Sequence, residues 1–435
     1  MIVKLRIIIL RIFLLGFTLF VICVSESIAQ VVQWKNPFEN TSNATSVSKD
    51  SLTLSEALSL VSRANPGLQA GRARIKATEG LITQAGLRPN PKFEIVAEEF
   101  GGSASGFRES EFNITLSQEF ELWGKRGNRK KLANSVADLI KLDVSFANFD
   151  IYASVVERFF DVAHAQKRVG LSQEASEIAK SVAETAKTRV KKGAALKSEF
   201  LLGELELGRA QLNLAEAESN LISAKERLSS LWQDSRSDFS VKAPSANVES
   251  LADLDKYLVL IENSREVTAL NREENTIKAR LNLAQSNGKP SVTITGGMKR
   301  LEVDNANTFR IGAGLPLPFF NRNQGSTASL RASIKALEFE RQRAIADAET
   351  EFKSIQRRLT QLVSRYSSLR TSLLPKAEET YRSLKSVYDS GRMSYSFLLE
   401  SQRTLVELRF EVNDIDLAIR KEIVSLERLL GVTIN

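Results

Sequence analysis

Apolar positions along the 435-residue chain follow two periods, and the order in which those periods occur is used twice. From Leu54 the spacing is helical to about Leu87. Two short segments then alternate every second residue, a very long helical stretch follows, a glycine interrupts it, and a further helix runs to about Leu231. The same order begins again after residue 250. Asn90-Pro91 corresponds to Lys289-Pro290, Gly193 to Gly391 and Leu231 to Leu429, shifts of 199, 198 and 198 residues. A shift that constant marks an internal repeat. The chain therefore divides into residues 1–29, a loose Asn-, Ser- and Thr-rich leader over 30–50, a first copy over 51–233, a linker over 234–250 containing Pro244, and a second copy over 251–435.

No Pro interrupts residues 128–190, which predicts one helix of about 60 residues, about 90 Å long at 1.5 Å per residue. After the glycine break, Leu214, Ala217, Leu221, Ala224, Leu228 and Leu231 are spaced 3, 4, 3, 4 and 3, a coiled-coil seam in which alanine permits close helix approach. Leu405, Leu408, Val412 and Ile415 repeat that seam, so long helices are predicted to run to 232 and 430. Pro375 falls inside the second long helix, where its missing N–H and its ring predict a kink.

The alternating segments predict four strands, at about 91–100, 110–122, 290–300 and 307–317. Their apolar positions are Phe93, Ile95 and Ala97; Phe112, Ile114, Leu116 and Phe120; Val292 and Ile294; and Phe309, Ile311, Ala313 and Leu315. Loops at 101–106 and 303–307, with Gly, Ser or Asn, join them as two hairpins. Pro91 and Pro290 stand where strands begin, Pro316 and Pro318 where one ends, places where a missing N–H matters least. Strands of about ten residues suit tilted membrane-spanning β-segments; a small soluble sheet would carry the same alternation. In a membrane, four strands would leave two unpaired edges in lipid, so closure would require several chains, and three would supply twelve strands.

At the start of the chain, Lys4, Arg6 and Arg11 precede an apolar run from Ile12 to Val24 and the small-x-small pattern Ser27-Ile28-Ala29, which predicts a secretory signal over 1–29. The run of about 13 residues is short of the roughly 20 a membrane helix needs. Ile22 before Cys23 does not suit lipid attachment, and removal of the signal takes the only cysteine with it. Composition then narrows the chemistry. One Cys and one His argue against zinc clusters, thiol redox sites and most triads, and no phosphate-binding Gly loop, HExxH or GxSxG occurs. No cofactor or metal site is expected, and His164, amid Ala163, Ala165 and Gln166, reads as structural. The net charge of +8 comes from basic residues mixed with nearly as many acids, which does not point to nucleic acid.

Three stretches carry a more specific pattern: residues 84–91 (Gln-Ala-Gly-Leu-Arg-Pro-Asn-Pro), 117–126 (Ser-Gln-Glu-Phe-Glu-Leu-Trp-Gly-Lys-Arg) and 315–325 (Leu-Pro-Leu-Pro-Phe-Phe-Asn-Arg-Asn-Gln-Gly). Together with the order of elements, they resemble the TolC-like outer-membrane efflux protein family, and within it the CzcC-type heavy-metal efflux subgroup, from which Trp123 departs where Gly is usual. The resemblance covers nearly the whole chain after the signal. It implies a mainly α fold with a small β part, in which two tandem repeats of long coiled-coil helices and β-hairpins trimerise into a 12-stranded barrel with a periplasmic α-helical barrel. It also implies a homotrimer in outer-membrane lipid, a periplasmic adaptor and an inner-membrane RND pump as partners, and no catalysis.

Two places carry candidate sites. Gly124, Lys125, Arg126, Arg129, Arg322 and Asn323 cluster where strand should give way to helix, and read either as an interfacial girdle or pore-mouth ring, or as helix caps and solubilising charge. At the other candidate site, residues 189–196 and 387–394 each place a Gly where one long helix reverses into the next. The resemblance makes Lys191, Lys192, Gly193, Ala194, Leu196, Gly391 and Arg392 an adaptor-contact tip. Counted from each Gly, it places periplasmic gate positions on Glu199, Phe397 and Glu400, with Met393 where the family archetype has a gate Arg. Each of these acids would also serve as a solvated helix residue. Two other readings share the sequence features: a duct for drug efflux or type I protein secretion, and an elongated envelope coiled coil without a pore.

Overall fold

The computed structural model describes residues 37–38, 51–99, 106–234, 238–244 and 254–434; the signal, with Cys23, and nearly all of the leader lie outside the described residues. In chain order the elements are β1 (Ser51–Leu52), α1 (Leu54–Ala64), α2 (Pro66–Gly86), β2 (Lys92–Glu98), β3 (Glu111–Phe120), α3 (Lys125–Lys191), α4 (Lys197–Ser229), β4 (Ser240–Val241), α5 (Arg265–Asn287), β5 (Val292–Leu301), β6 (Ala306–Gly314), α6 (Gln324–Ser368), α7 (Leu374–Asp389) and α8 (Tyr395–Leu430). The helical stretch read from Leu54 to Leu87 is two helices. Asn65 takes an extended φ/ψ of −69°/122°, because the ring of Pro66 disfavours the helical region for the residue before it. The predicted long helix is present, three residues longer at its start.

At Pro375 the second long helix changes its hydrogen-bond pattern. Between α6 and α7 the chain forms a π-helical turn, Leu369–Leu373. Proline cannot donate to the carbonyl four residues back, and a single wider turn just ahead of it absorbs that loss while the helix continues.

Compactness cuts across the two sequence copies. One unit comprises the described residues within Met1–Asn65, Asn148–Arg265 and Ala348–Asn435, the other those within Pro66–Ala147 and Glu266–Asp347, so each unit draws a segment from both copies. In the first unit, the helical one, Ala348, Phe352, Ile355, Leu359 and Leu369 of α6 and the following π turn meet Ile415, Ile419, Leu426 and Leu430 of α8 in a single core cluster. The spacing 4, 3, 4 along α6 is a heptad seam, one predicted from the sequence on α4 and α8 but not here. Small residues set the approach of α3 and α4: a Cβ on Gly203 would lie 3.1 Å from the Ala183 Cα. Ion pairs from α8 to α3, Arg428 with Glu157, Lys421 with Asp161 and Arg409 with Glu174, all at 2.8 Å, run in opposite directions along the two helices and fix their antiparallel register. Each such exposed pair contributes little to stability, about 0.2–1 kcal/mol.

Within the linker, Ser240–Val241 is tied down more than its composition suggests. β4 pairs in parallel with β1, Ser51 opposite Ser240 and Leu52 opposite Val241. The Gln166 amide of α3 brackets Val241, accepting from its N–H at 2.7 Å and donating to its carbonyl at 3.2 Å.

The second unit holds an antiparallel sheet of order β2-β3-β5-β6, in which the two hairpins join through β3 and β5. Phe93 faces Leu116, Ile95 faces Ile114, Ile114 faces Met298, and Met298 faces Phe309 across the ladders. Side chains alternate sides along a strand, so these residues with Ile294 and Ile311 share one side of the sheet, and Glu94, Glu98, Asn113, Thr115, Ser117, Thr295, Lys299 and Arg310 share the other. The apolar side lies bare: Phe309 is 85% exposed and Ile311 87%. The polar side carries its own pairs, Lys92 with Glu94 at 3.2 Å and Lys299 with Glu111.

Candidate functional site

The two helix reversals at the tip of the helical unit share one construction. Gly193 (φ 70°) and Gly391 (φ 81°) adopt the left-handed conformation that L side chains disfavour. After α3, Gly193 N–H donates to Val190 O at 3.0 Å and Ala194 N–H to Arg189 O at 2.9 Å. After α7, Gly391 N–H donates to Tyr388 O at 2.9 Å and Arg392 N–H to Val387 O at 3.2 Å. This is the Schellman closure of a helix end, repeated at a shift of 198 residues. The next helices, α4 and α8, begin after extended N-caps at Leu196 and Ser394.

Side chains from both copies lock the two turns together. The Arg189 guanidinium donates to Tyr388 O at 2.8 Å and to Ala194 O at 3.3 Å, and lies 4.4 Å from the Tyr388 ring centre. Tyr388, Tyr395, Leu398 and Val182 form a buried cluster beneath it, and Met393 packs against that cluster. Met393 thus serves as tip core. Burial raises the Tyr388 hydroxyl, with Glu199 adding to the shift, and burial with Glu206 nearby pushes Tyr395 up to about 12. Both hydroxyls therefore stay protonated donors at neutral pH. Below them Arg403 donates to Glu206 at 2.7 Å, joining α8 to α4.

The sequence-predicted gate residues fall in different settings. Glu199 sits in the first turn of α4 with its carboxylate 3.5 Å from the Tyr388 hydroxyl. Phe397 is 65% exposed and Glu400 is exposed one turn further along α8, its charge felt by Arg403. Among the described residues no hydrogen bond or ion pair joins Glu199 to Glu400. The adaptor-tip residues Lys191, Lys192, Gly193, Ala194, Leu196, Gly391 and Arg392 are all exposed. The sequence reading missed Arg189, Tyr388 and Tyr395 as a unit. The available signal was the pair of tyrosines three residues before and four after Gly391.

The second candidate site is the strand-to-helix junction. Trp123 (φ 58°), Gly124 (φ 71°) and, 199 residues on, Asn323 (φ 61°) take the left-handed conformation, and a helix starts immediately after each turn. Asn128 N–H donates to Gly124 O at 2.8 Å and Thr327 N–H to Asn323 O at 3.0 Å, the same first helical bond in both copies. Lys125 donates to the Ser291 hydroxyl at 2.9 Å, while Arg126 and Arg322 are exposed. Arg129 departs from the predicted cluster. It donates to both Glu121 carboxylate oxygens and to Ala85 O and Leu87 O at the end of α2, and holds the Glu121 carboxyl below its ordinary range. Its role is to cap α2.

His164 lies in the helical unit, its Nε2 2.7 Å from Asp414 Oδ1, with Arg168 3.3 Å from the same oxygen. Among the described residues no three His, Cys, Asp or Glu side chains converge on a point, and no helix is long and apolar enough to cross a membrane.

A sheet that is apolar on its exposed side, spliced between long helices in two copies, is the arrangement of an outer-membrane efflux protein, and comparison with known proteins gives the same result. The sequence profile of the outer membrane efflux protein family matches residues 57–232. The cobalt-zinc-cadmium resistance protein CzcC of Cupriavidus metallidurans is 31% identical over 386 residues, covering 87% of this chain and 90% of that protein. The nickel-cobalt-cadmium resistance protein NccC of Alcaligenes xylosoxydans xylosoxydans is 24% identical over 60% of this chain and 59% of its own length. Among solved structures, the outer membrane protein VceC of Vibrio cholerae superimposes with a TM-score of 0.72 at 16% identity, over 88% of this chain and 97% of that one. The chain belongs to the outer membrane efflux protein family.

Proposed function

We propose that the chain is the exit-duct subunit of a tripartite heavy-metal efflux system. Three copies close their sheets into a 12-stranded barrel in the outer membrane, with the helices forming a tunnel in the periplasm. The observation that carries this reading is the two-sided sheet. Its apolar side is bare, and its edge strands β2 and β6 each have one unpaired side among the described residues. Lipid satisfies the first, and pairing of β6 with β2 of a neighbouring copy satisfies the second. The metal cargo is supported by CzcC and NccC, whose names assign them to cobalt, zinc, cadmium and nickel resistance.

The duct catalyses nothing. An inner-membrane RND-type pump drives transport, and a periplasmic adaptor docks on the exposed residues around Gly193 and Gly391. Docking opens an aperture lined by Glu199, Phe397 and Glu400 by biasing a two-state tip. The mass of the purified protein in mild detergent tests the assembly: three chains per particle is the expected result, and a stable water-soluble monomer or dimer would overturn it. Deleting the gene should raise sensitivity to divalent zinc, cobalt or cadmium; unchanged sensitivity to all three would remove the metal cargo and leave the duct standing.

A further inference from the structure

We propose that the strand-to-helix junction of each chain binds an anionic glycerophospholipid. Lys125, Arg126, Lys289 and Arg322 hold its phosphate, and its acyl chains lie against Trp123 and Phe320. This rests on the membrane seating proposed above and adds a headgroup preference to it.

One short segment assembles the site. Residues 288–291, between α5 and β5, touch both strand-to-helix turns. A Cβ on Gly288 would lie 2.3 Å from Arg322 O, so the turn before α6 packs directly on that glycine. The Lys289 ammonium stands 5.0 Å from the centre of the Trp123 ring. Trp123 Nε1 donates to Pro290 O at 3.0 Å, and Lys125 donates to the Ser291 hydroxyl at 2.9 Å.

Four cations from both sequence copies are thus drawn to one end of the sheet, and among the described residues none of them forms an ion pair. Of the acids at this end, Glu121 is already held by Arg129 and Glu119 stands on β3 opposite Thr293, so the cations outnumber the acids left to meet them. Neither α3 nor α6 carries an acid in its first turn, so the positive ends of both helix dipoles add to the field. The opposite end of the sheet has the reverse balance: Glu98, Glu99, Glu109, Glu111, Glu302 and Asp304 against Arg108, Lys299 and Arg300. The charge therefore belongs to the helix-side end and is not spread over the sheet.

An acidic peptide would satisfy the cations but leave the neighbouring apolar groups in water. Trp123 is exposed and Phe320, two residues before Arg322, is 94% exposed, next to strands whose apolar side is bare. A lipid that offers a phosphodiester at the boundary and hydrocarbon beside it satisfies both.

Quenching of Trp123 by brominated acyl chains tests the proposal. The full outer-membrane protein is reconstituted in vesicles of phosphatidylcholine with increasing dibrominated phosphatidylglycerol or dibrominated phosphatidylcholine, and the Trp123 component is taken as the emission lost in Trp123→Phe. Half-maximal quenching should need a several-fold lower mole fraction of the anionic lipid. Lys289→Gln with Arg322→Gln should abolish that preference while quenching persists, and raised NaCl should weaken it in the native protein. Equal quenching by both lipids in the native protein overturns the headgroup site and leaves the membrane seating intact. Absence of quenching by either lipid overturns the seating and the site together.

Discussion

The two compact units place the same kinds of residue in opposite ways. In the helical unit Phe352, Ile355, Ile419 and Leu430 are fully or almost fully buried in one cluster, and the outer faces carry ion pairs. In the strand-bearing unit Phe309, Ile311, Phe93 and Ile95 stand on the outside, while acids, lysine and threonines occupy the other side of the sheet. Burial of apolar surface away from water explains the first arrangement. The second is stable only where the surroundings of the sheet are themselves apolar. A single chain therefore carries surfaces suited to two solvents, and the proposed boundary between them falls at the junction of Trp123, Lys125 and Arg322.

Substitutions separate the two regimes. Phe352→Ala, in the buried seam, should lower stability by about 3–5 kcal/mol, as expected for a deleted core aromatic, measured as the shift of the denaturant midpoint; a shift below about 1 kcal/mol would remove the seam as core. Ile311→Lys should cost about 2–4 kcal/mol on folding into lipid vesicles, whereas Arg310→Gln, one residue away on the polar side, should cost no more than about 0.5 kcal/mol. Equal effects at the two positions would contradict the two-sided sheet.

Glu427 supplies a pH test within the helical unit. It is buried, one carboxylate oxygen accepts the Ile434 N–H at 2.6 Å, and the other has no partner among the described residues. Burial raises its carboxyl from 4.5 to about 7. Between those values the folded chain binds more protons than the unfolded one, so this group makes stability fall as pH rises through that window. Glu427→Gln should then stabilise the protein at pH 8 by up to about 3 kcal/mol and have little effect near pH 4. A loss of stability at pH 8 would show that the charge is compensated. The smallest effect is expected at the tip, where Gly193→Ala and Gly391→Ala should each cost about 1 kcal/mol through the left-handed backbone. A clear difference between them would break the equivalence of the two turns.

What was legible in the sequence was local. Leu214, Ala217 and their successors, the alternation from Phe309 to Ala313, and Gly193 with Gly391 each state a backbone requirement within a few residues. What was not legible depends on residues far apart. β4 is two residues, Ser240 and Val241, whose pairing with β1 crosses nearly the whole first copy. The lock of Arg189 on Tyr388 spans 199 positions and the Lys289 stack on Trp123 spans 166. A kink was expected at Pro375 from its ring and missing N–H; the π turn ahead of it was not, because several rearrangements of the helical ladder can absorb one missing donor. The interleaving of the compact units across the two copies likewise arises from long-range packing.

Nitroxide scanning of β6 in lipid vesicles tests the central claim most directly. Cys23 is the only cysteine of the sequence and lies within the predicted signal, so each introduced cysteine is a unique labelling site. Labels at 309, 311 and 313 should be relaxed by oxygen, which concentrates in hydrocarbon, and labels at 308, 310 and 312 by a water-soluble nickel chelate. An alternation of period two is the predicted result; uniform accessibility to the chelate along the strand would contradict a sheet that meets lipid with its apolar side.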